Sequence, residues 1–288
     1  GVCDIIGLGR SLLTDPDYVK KLENGQSDRI RYCMMCNKGC TDAIQNRQFL
    51  SCVLNAENGY EYERIITPAT TKKKVVIVGG GPAGMEAARV AKTKGHDVVL
   101  FEQETRLGGQ LNIAANPPRK AEMNRAINYL TNEMKVLGVD LRLGQKVCAN
   151  CIIKENPDSV IIAAGASNAS LPIEGIDLPH VFDAWKVLNH EQLPSGKTVV
   201  IGGGLVGAET AELLANSGCE VTIVEMMDEI AKEESSTVKP VMFEDFKEHN
   251  VQLLTKTKVT AITSSSVEAN AETGPVSIAC DYVILAVG

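Results

Sequence analysis

Short unbroken apolar runs recur along the chain: VVIV at 75–78, VVLF at 98–101, SVIIAAGA at 159–166, TVVI at 198–201, VTIV at 221–224 and YVILAV at 282–287. Runs of this length without polar alternation read as strands buried on both faces of a parallel sheet. Two of them open an identical layout. In VVIVGGGPAGMEAARVAKTKGHDVVLFE an apolar strand gives way to a glycine turn, a small-residue helix, a second turn and a second strand ending in Glu102. TVVIGGGLVGAETAELLANSGCEVTIVE repeats the theme 123 residues later and ends in Glu225. Each copy predicts a βαβ unit, so the fold class is α/β with two Rossmann-like nucleotide-binding domains. Residues 119–138 carry helical periodicity, 139–143 predict a short strand, and SVIIAAGA predicts a buried strand ending in glycine.

The first seventy residues follow another pattern. LLTDPDYVKKLENG (12–25) predicts one short helix with Asp15 as N-cap, Pro16 at the first helical position and Gly25 at the C-terminus. Residues 33–60 have little periodicity and many Asn and Gly, which predicts a loop-rich module, and TPATTKKK predicts a linker.

The glycine turns supply the first chemistry. Gly79, Gly81 and Gly84, and again Gly202, Gly204 and Gly207, stand in G-x-G-x-x-G spacing. The first glycine permits a tight turn, the second lets a pyrophosphate approach the backbone, and the third lets the helix press on the sheet. Pro82 and Ala83, like Leu205 and Val206, open the helices whose N-terminal N–H groups would face the phosphates. Each copy follows an apolar strand, opens a helix and is trailed by an acid 18 residues after its third glycine. That context separates a dinucleotide fingerprint from a glycine turn needed only for packing. Glu102 and Glu225 are expected to accept hydrogen bonds from ribose hydroxyls. A carboxylate against a 2′-phosphate at about 4 Å costs several kcal/mol even at an effective dielectric near 20. Met226, Met227 and Asp228 follow Glu225 with no nearby cation, so NADH is expected over NADPH. The first copy has further ligand-sized features: Gln103, the Gly108–Gly109–Gln110 loop, and the Ala164–Gly165 turn. A longer ligand suits that loop, so FAD is assigned to the first turn and NADH, with Glu209 on its helix, to the second.

Cysteine usage raises a second question. Of nine cysteines, Cys33, Cys36 and Cys40 fall within eight residues and Cys52 follows, in C-x2-C-x3-C-x11-C spacing. Zinc sites more often pair C-x2-C with another C-x2-C or with histidines. Beside a flavin-type domain, a one-electron iron–sulfur centre is the expected occupant, with zinc or free thiols as alternatives. Cys148 and Cys151 form a C-x2-C read as ordinary buried thiols, with a redox dithiol as the alternative; Cys3, Cys219 and Cys280 lie in apolar runs and are expected in the core. His96 and His249 are expected at helix ends, and Trp185 at a packed junction.

Net charge is −7 in 288 residues, which argues against nucleic acid as a partner. No apolar run approaches the roughly 18 residues of a membrane span. The cysteine pattern points to a reducing, cytoplasmic compartment. The missing initiator Met and the ending in DYVILAVG suggest a fragment of something larger.

Taken together, GGGPAGMEAA, VVLFEQETRLGGQLN, PPRKAEM and the inserted VVIGGGLVGAETAELLA resemble the disulfide-reductase-type flavoprotein fold of two three-layer nucleotide domains. DIIGLGRSLLTDPDYVKKLENGQSDRIRYCMMCNKGC resembles a narrower group, the multidomain NADH:flavin oxidoreductases that include 2,4-dienoyl-CoA reductase, 2-enoate reductase and trimethylamine dehydrogenase. The resemblance implies a [4Fe–4S] cluster on Cys33, Cys36, Cys40 and Cys52. It also implies an FMN-binding (β/α)8 barrel, of which residues 1–32 are the tail, with Gly9 and Arg10 at the FMN phosphate. Residues 33–70 would be the cluster segment and linker, 71–190 the FAD domain, lacking its closing segment, and 191–288 the NAD(H) domain. The implied activity is hydride transfer from NADH to FAD, then single electrons through the cluster to FMN, and reduction of an enoate or dienoyl-CoA C=C bond in the full-length protein. A homo-oligomer is one expected assembly state. Two rivals remain at this point: a disulfide reductase using Cys148 and Cys151, and a non-catalytic zinc- and nucleotide-binding module.

Overall fold

The computed structural model describes residues 2–169 and 171–287. They form two compact units, one of residues 1–115 with 122–166 and the other of 116–121 with 167–288.

The first unit begins with short helices α1 (Arg10–Thr14), α2 (Tyr18–Glu23) and α3 (Thr41–Gln45). The expected single helix over 12–25 is thus two helices. Asp15 ends α1 instead of capping α2, because its buried carboxylate accepts the Arg31 backbone N–H (2.8 Å) and pairs with Lys21 (2.7 Å). Gly25, at φ +67°, closes α2 as expected.

The nucleotide fold then runs through β1 (Lys74–Val78), α4 (Pro82–Thr93), β2 (Asp97–Phe101), α5 (Leu111–Ala114), α6 (Asn124–Val136), β3 (Asp140–Arg142), α7 (Ala149–Lys154) and β4 (Ser159–Ile162). The four strands are parallel in the order β3-β2-β1-β4. Val75, Ile77, Val98 and Leu100 pack on α4 and α6 through Met85, Ala88, Leu130 and Met134. Val76, Val99 and Phe101 pack on Val147 and Ile152 on the other face. Burial on both faces is why β1 and β2 are apolar throughout. β4 departs from the expected buried strand. It pairs only with β1, at the sheet edge, and all four of its residues are exposed.

The second unit contains β5 (Val181–Asp183), α8 (Ala184–Leu188), β6 (Lys197–Ile201), α9 (Leu205–Asn216), β7 (Glu220–Val224), α10 (Lys239–Glu248), β8 (Gln252–Leu254), β9 (Lys258–Ile262), β10 (Ser266–Ala271), β11 (Gly274–Ala279) and β12 (Tyr282–Leu285). A five-stranded parallel sheet, β5-β12-β6-β7-β8, is covered on one face by the three helices through Val187, Ala208, Ala211, Leu214, Met242 and Phe246. The antiparallel meander β11-β10-β9 brings Ile262 and Val267 to the other face, against Val199, Ile201 and Val283. Residues 167–190, grouped with the first nucleotide domain in the sequence-based division, belong to this unit, where β5 pairs with β12. The meander was not foreseen, although VTAI, SVEANA and PVSIA carry the alternation of one-sided strands. Trp185 lies half-buried on α8, where the Asp183 carboxylate accepts its backbone N–H (2.8 Å).

Candidate functional site

In both units the outer glycines of the turn answer to the chain's own packing. Gly79 has φ +109°, and a Cβ there would lie 2.2 Å from the Ala163 carbonyl oxygen; one on Gly84 would lie 1.9 Å from that of Gly79. In the second unit the corresponding approaches are 2.5 Å, from Gly202 to the Ala286 oxygen, and 1.9 Å, from Gly207 to the Gly202 oxygen. The middle glycines differ. A Cβ on Gly81 would meet nothing nearer than Gly109 Cα at 4.0 Å, and one on Gly204 would meet nothing within 4 Å. Their backbones are extended (ψ −179° and −172°), a conformation open to any residue. Nothing in the protein therefore requires a hydrogen at these two positions; the space belongs to whatever approaches the turn. Each middle glycine is the N-cap of a twelve-residue helix with no side-chain cap, so the first N–H groups of α4 and α9 are left for an anion.

The two acids hold their own turns. Glu102 accepts the Gly80 N–H (2.6 Å) and the Glu104 N–H (2.8 Å), one on each carboxylate oxygen. Glu225 does the same with Gly203 (2.6 Å) and Met227 (2.7 Å). A carboxylate offers about four acceptor positions, so each keeps capacity for a ribose hydroxyl while fixing the loop beneath it. That loop-holding role, through the unassigned glycines Gly80 and Gly203, was not anticipated.

Around the first turn, Gly108 and Gly109 take φ +115° and +52°, and the Gly108 N–H donates to the Gly80 carbonyl (2.9 Å). Gln110 donates its side-chain amide to the Ala166 carbonyl (2.7 Å), tying this loop to the Ala164–Gly165 turn after β4. Pro82, Ala83, Gln103, Ala164 and Gly165 are exposed there. These residues border one mouth, at the C-terminal ends of β1 and β4, where doubly wound sheets bind ligands.

Beside the second turn Gly204 and Val206 are exposed and Leu205 is half-buried, while Glu209 is committed elsewhere. Lys120 Nζ pairs with Glu209 (2.9 Å) and Glu234 (3.0 Å), and Arg119 pairs with buried Glu212. Burial alone would lower the Lys120 ammonium, but the two carboxylates outweigh it and hold its pKa above 10.5. The stability so gained is fully present below 10.5 and is lost as pH rises through the higher folded value. Lys120→Met removes the cation that two shielded carboxylates share. It is expected to cost about 3–5 kcal/mol, read as an earlier urea midpoint for the second unit.

The cysteine segment closes on itself. Gly39 lets Ser51 approach so nearly that a Cβ would stand 2.7 Å from the Ser51 carbonyl oxygen, and the Ser51 N–H donates to the Gly39 carbonyl (2.7 Å). The residues that follow these two are Cys40 and Cys52. Met35 and Asn37 turn the chain at φ +58° and +59°. Cys33, Cys36, Cys40 and Cys52 all line one cavity, closed by Leu13, Thr14, Met34, Leu54 and Arg10. Burial pushes the Cys36 thiol up against an opposing Lys38 backbone contact, and Cys52, Cys40 and Cys33 raise it further. Among the described residues no three His, Cys, Asp or Glu side chains form a group able to hold a single metal ion. Four cysteines lining one cavity are the type of donor set that either an iron–sulfur cluster or zinc would need. Arg10 lies beside this cavity, its guanidinium donating to Asn37 (2.7 Å), while the Gly9 carbonyl accepts the Leu12 N–H (3.0 Å) at the start of α1.

Three cysteine expectations need correction. Cys3 is exposed, as are the apolar residues around it, Val2, Ile5 and Ile6. Cys148 and Cys151 are exposed as well, because α7 turns Ile152 to the core and leaves its first turn outside. Cys219 and Cys280 are buried as expected. Among the described residues no helix is long and apolar enough to cross a membrane.

Residues 73–288 match the pyridine nucleotide-disulphide oxidoreductase family model. The whole chain is 75% identical over 288 residues to the bilirubin reductase of Mediterraneibacter gnavus, covering 45% of that protein. It is 39% identical over 297 residues to the NADH oxidase of Thermoanaerobacter brockii, again covering all of this chain and 45% of the relative. A solved complex of 2-naphthoyl-CoA reductase with 2-naphthoyl-CoA superposes with a TM-score of 0.92 at 32% identity, over 97% of this chain and 43% of that one. The chain spans about half the length of the curated relatives it matches. With its two glycine turns, parallel sheets and oxidoreductase relatives of the 2,4-dienoyl-CoA reductase type, the chain belongs to the pyridine nucleotide-disulphide oxidoreductase family.

Proposed function

We propose that this chain is the NADH-oxidising, electron-transferring portion of a flavin and iron–sulfur oxidoreductase that reduces an activated C=C bond. The observation that carries it is the convergence of Cys33, Cys36, Cys40 and Cys52 on one cavity in the same compact unit as the first glycine turn. In this scheme the Gly79–Gly84 turn, Glu102 and the Gly108–Gln110 loop hold FAD. The Gly202–Gly207 turn and Glu225 hold NADH, and the four cysteines hold a [4Fe–4S] cluster. Gly9 and Arg10 reach the phosphate of FMN in the full-length protein, whose barrel ends in residues 1–32; 33–70 is the cluster segment, and nucleotide domains follow. When bound, these groups supply hydride donation, exchange between two-electron and one-electron steps, and single-electron relay. The chain's own residues bind and orient: α4 and α9 present N–H groups to phosphates, the middle glycines admit them, and the cavity walls half-bury the four cysteines.

The 75% identical bilirubin reductase makes bilirubin the first substrate to test, and the naphthoyl-CoA reductase makes an aryl or enoyl thioester the second. The deciding experiment is an anaerobic visible spectrum of the purified full-length protein, before and after NADH, with iron and acid-labile sulfide counts. Flavin bleaching followed by loss of broad cluster absorbance is expected. Zinc without sulfide, and no bleaching, would overturn the proposal in favour of a zinc- and nucleotide-binding module.

Cofactor preference gives a second check. Glu225 places a carboxylate where a 2′-phosphate would sit, worth about 4 kcal/mol of repulsion at 4 Å and an effective dielectric of 20. NADH is expected to exceed NADPH in kcat/KM by about 100-fold or more, and Glu225→Gln to narrow that ratio by about tenfold. Equal use of the two nucleotides by the unaltered protein would count against the assignment.

A further inference from the structure

We propose that Cys148 and Cys151 form a thiol–disulfide exchange site for small-molecule disulfides that takes no part in the nucleotide chemistry. The two sulfurs lie 3.2 Å apart, in contact, and both side chains are exposed. Cys148 is the N-cap of α7 and Cys151 its third residue, with the Cys151 N–H donating to the Cys148 carbonyl (3.0 Å). N-cap and third-residue side chains meet across the first turn of a helix, the geometry that also permits a capping box. The flanking side chains are held: Val147 and Ile152 pack on Val76, Val99 and Phe101. The Gln145 and Gly144 N–H groups donate to the Glu102 and Glu104 carbonyls. The backbone under the pair is therefore fixed, and closing the remaining gap asks for side-chain rotation. Contact with the Cys151 thiol, then its backbone N–H, lowers the Cys148 thiol below its ordinary range, which marks it as the attacking sulfur.

Cys3, Cys219 and Cys280 lack this combination. Cys219 and Cys280 are buried, and burial pushes the Cys280 thiol up to about 11. Cys3 is exposed, but the next cysteine in the chain is Cys33. In the exchange, the Cys148 thiolate attacks one sulfur of a small disulfide, RSSR, forming a mixed disulfide and releasing RS−. Cys151, giving up its proton, then attacks the Cys148 sulfur, closes the Cys148–Cys151 bond and releases the second RS−. One disulfide is reduced to two thiols as two cysteines are oxidised to one cystine.

The test treats the reduced full-length protein with hydroxyethyl disulfide, without NADH, then blocks free thiols with iodoacetamide and maps peptides by mass spectrometry. The outcome is thereby independent of the electron path proposed above. Expected is a 148–151 peptide lighter by two hydrogens and refractory to alkylation, with two mercaptoethanol molecules released per closed pair. Cys151→Ser is expected to abolish closure and leave the mixed disulfide on Cys148. Cys3, in the same sample, is expected to stop at the mixed disulfide. Separate mixed disulfides on Cys148 and Cys151 of the unaltered protein, or both recovered alkylated, would overturn the proposal. The double variant Cys148→Ser/Cys151→Ser is expected to keep NADH oxidation unchanged, and its loss would equally sink the claim that the pair is separate from the nucleotide chemistry.

Discussion

Cys36→Ser in the full-length protein is expected to remove essentially all iron and acid-labile sulfide while both dinucleotides remain bound. The Cys36 thiol is pushed up first by burial and further by the other three cavity cysteines. A group so placed is unfavourable as an isolated thiolate and becomes favourable only when a positive centre shares it. A serine oxygen is shorter, harder and a poor ligand for iron in this setting. The fold around it does not rest on the sulfur: the segment is held by the Gly39–Ser51 backbone pair, by the Asn55 amide on the Leu13 carbonyl (2.9 Å) and by the Asp15–Arg31 contact. Substrate reduction should therefore fall by at least about 100-fold, while NADH-dependent reduction of an artificial two-electron acceptor stays within about twofold. If both rates fell together, the cysteines would not lie downstream of the dinucleotides; if neither fell, they would have no place in the path. Cys52→Ser should behave alike. Cys280→Ser, altering a buried thiol of the second unit's core, should change neither rate.

The contrast between what was legible in the sequence and what was not follows from where each residue's constraint originates. β1, β2, β6 and β7 are buried on two faces, so their composition reports their environment directly, and the third glycine of each turn answers a steric demand made five residues away, by Gly79 on Gly84 and by Gly202 on Gly207. β4 has the same apolar composition but the opposite exposure, because burial depends on what covers a strand and composition does not say. Cys148 and Cys151 were misplaced for a related reason. CANC sits in an apolar neighbourhood, yet which way α7 faces is decided by Val147 and Ile152 against Phe101, a contact between distant segments. The Lys120–Glu209–Glu234 group joins Lys120 to residues 89 and 114 positions further along the chain and leaves no local signal. The meander was legible in principle: its alternating residues were present, but three strands of modest hydrophobicity are easily passed over beside the apolar runs.

The largest stability contrast should come from two glycines three residues apart. Gly204→Val is expected to leave the second unit folded and to weaken NADH binding by about 100-fold or more, which is about 2.7 kcal/mol. Gly207→Ala, a smaller change, is expected to destabilise that unit by about 3 kcal/mol or more. At Gly204 the backbone is extended and no atom lies within 4 Å of the added carbon, so the folded state tolerates a side chain with at most about 1 kcal/mol of lost N-cap quality. What the side chain meets is the ligand, because it fills the space into which the uncapped N–H groups of α9 point. At Gly207 the added carbon would stand 1.9 Å from the Gly202 oxygen and 3.2 Å from the Ala286 Cβ, and neither neighbour is a flexible side chain able to retreat. The helix must then lift from β6 and β12. Urea midpoints and NADH titrations of the two variants therefore separate in opposite directions: an intact fold with lost binding at 204, and a weakened fold at 207. A Gly204→Val protein that binds NADH normally would mean that the open space before α9 is not where the pyrophosphate lies.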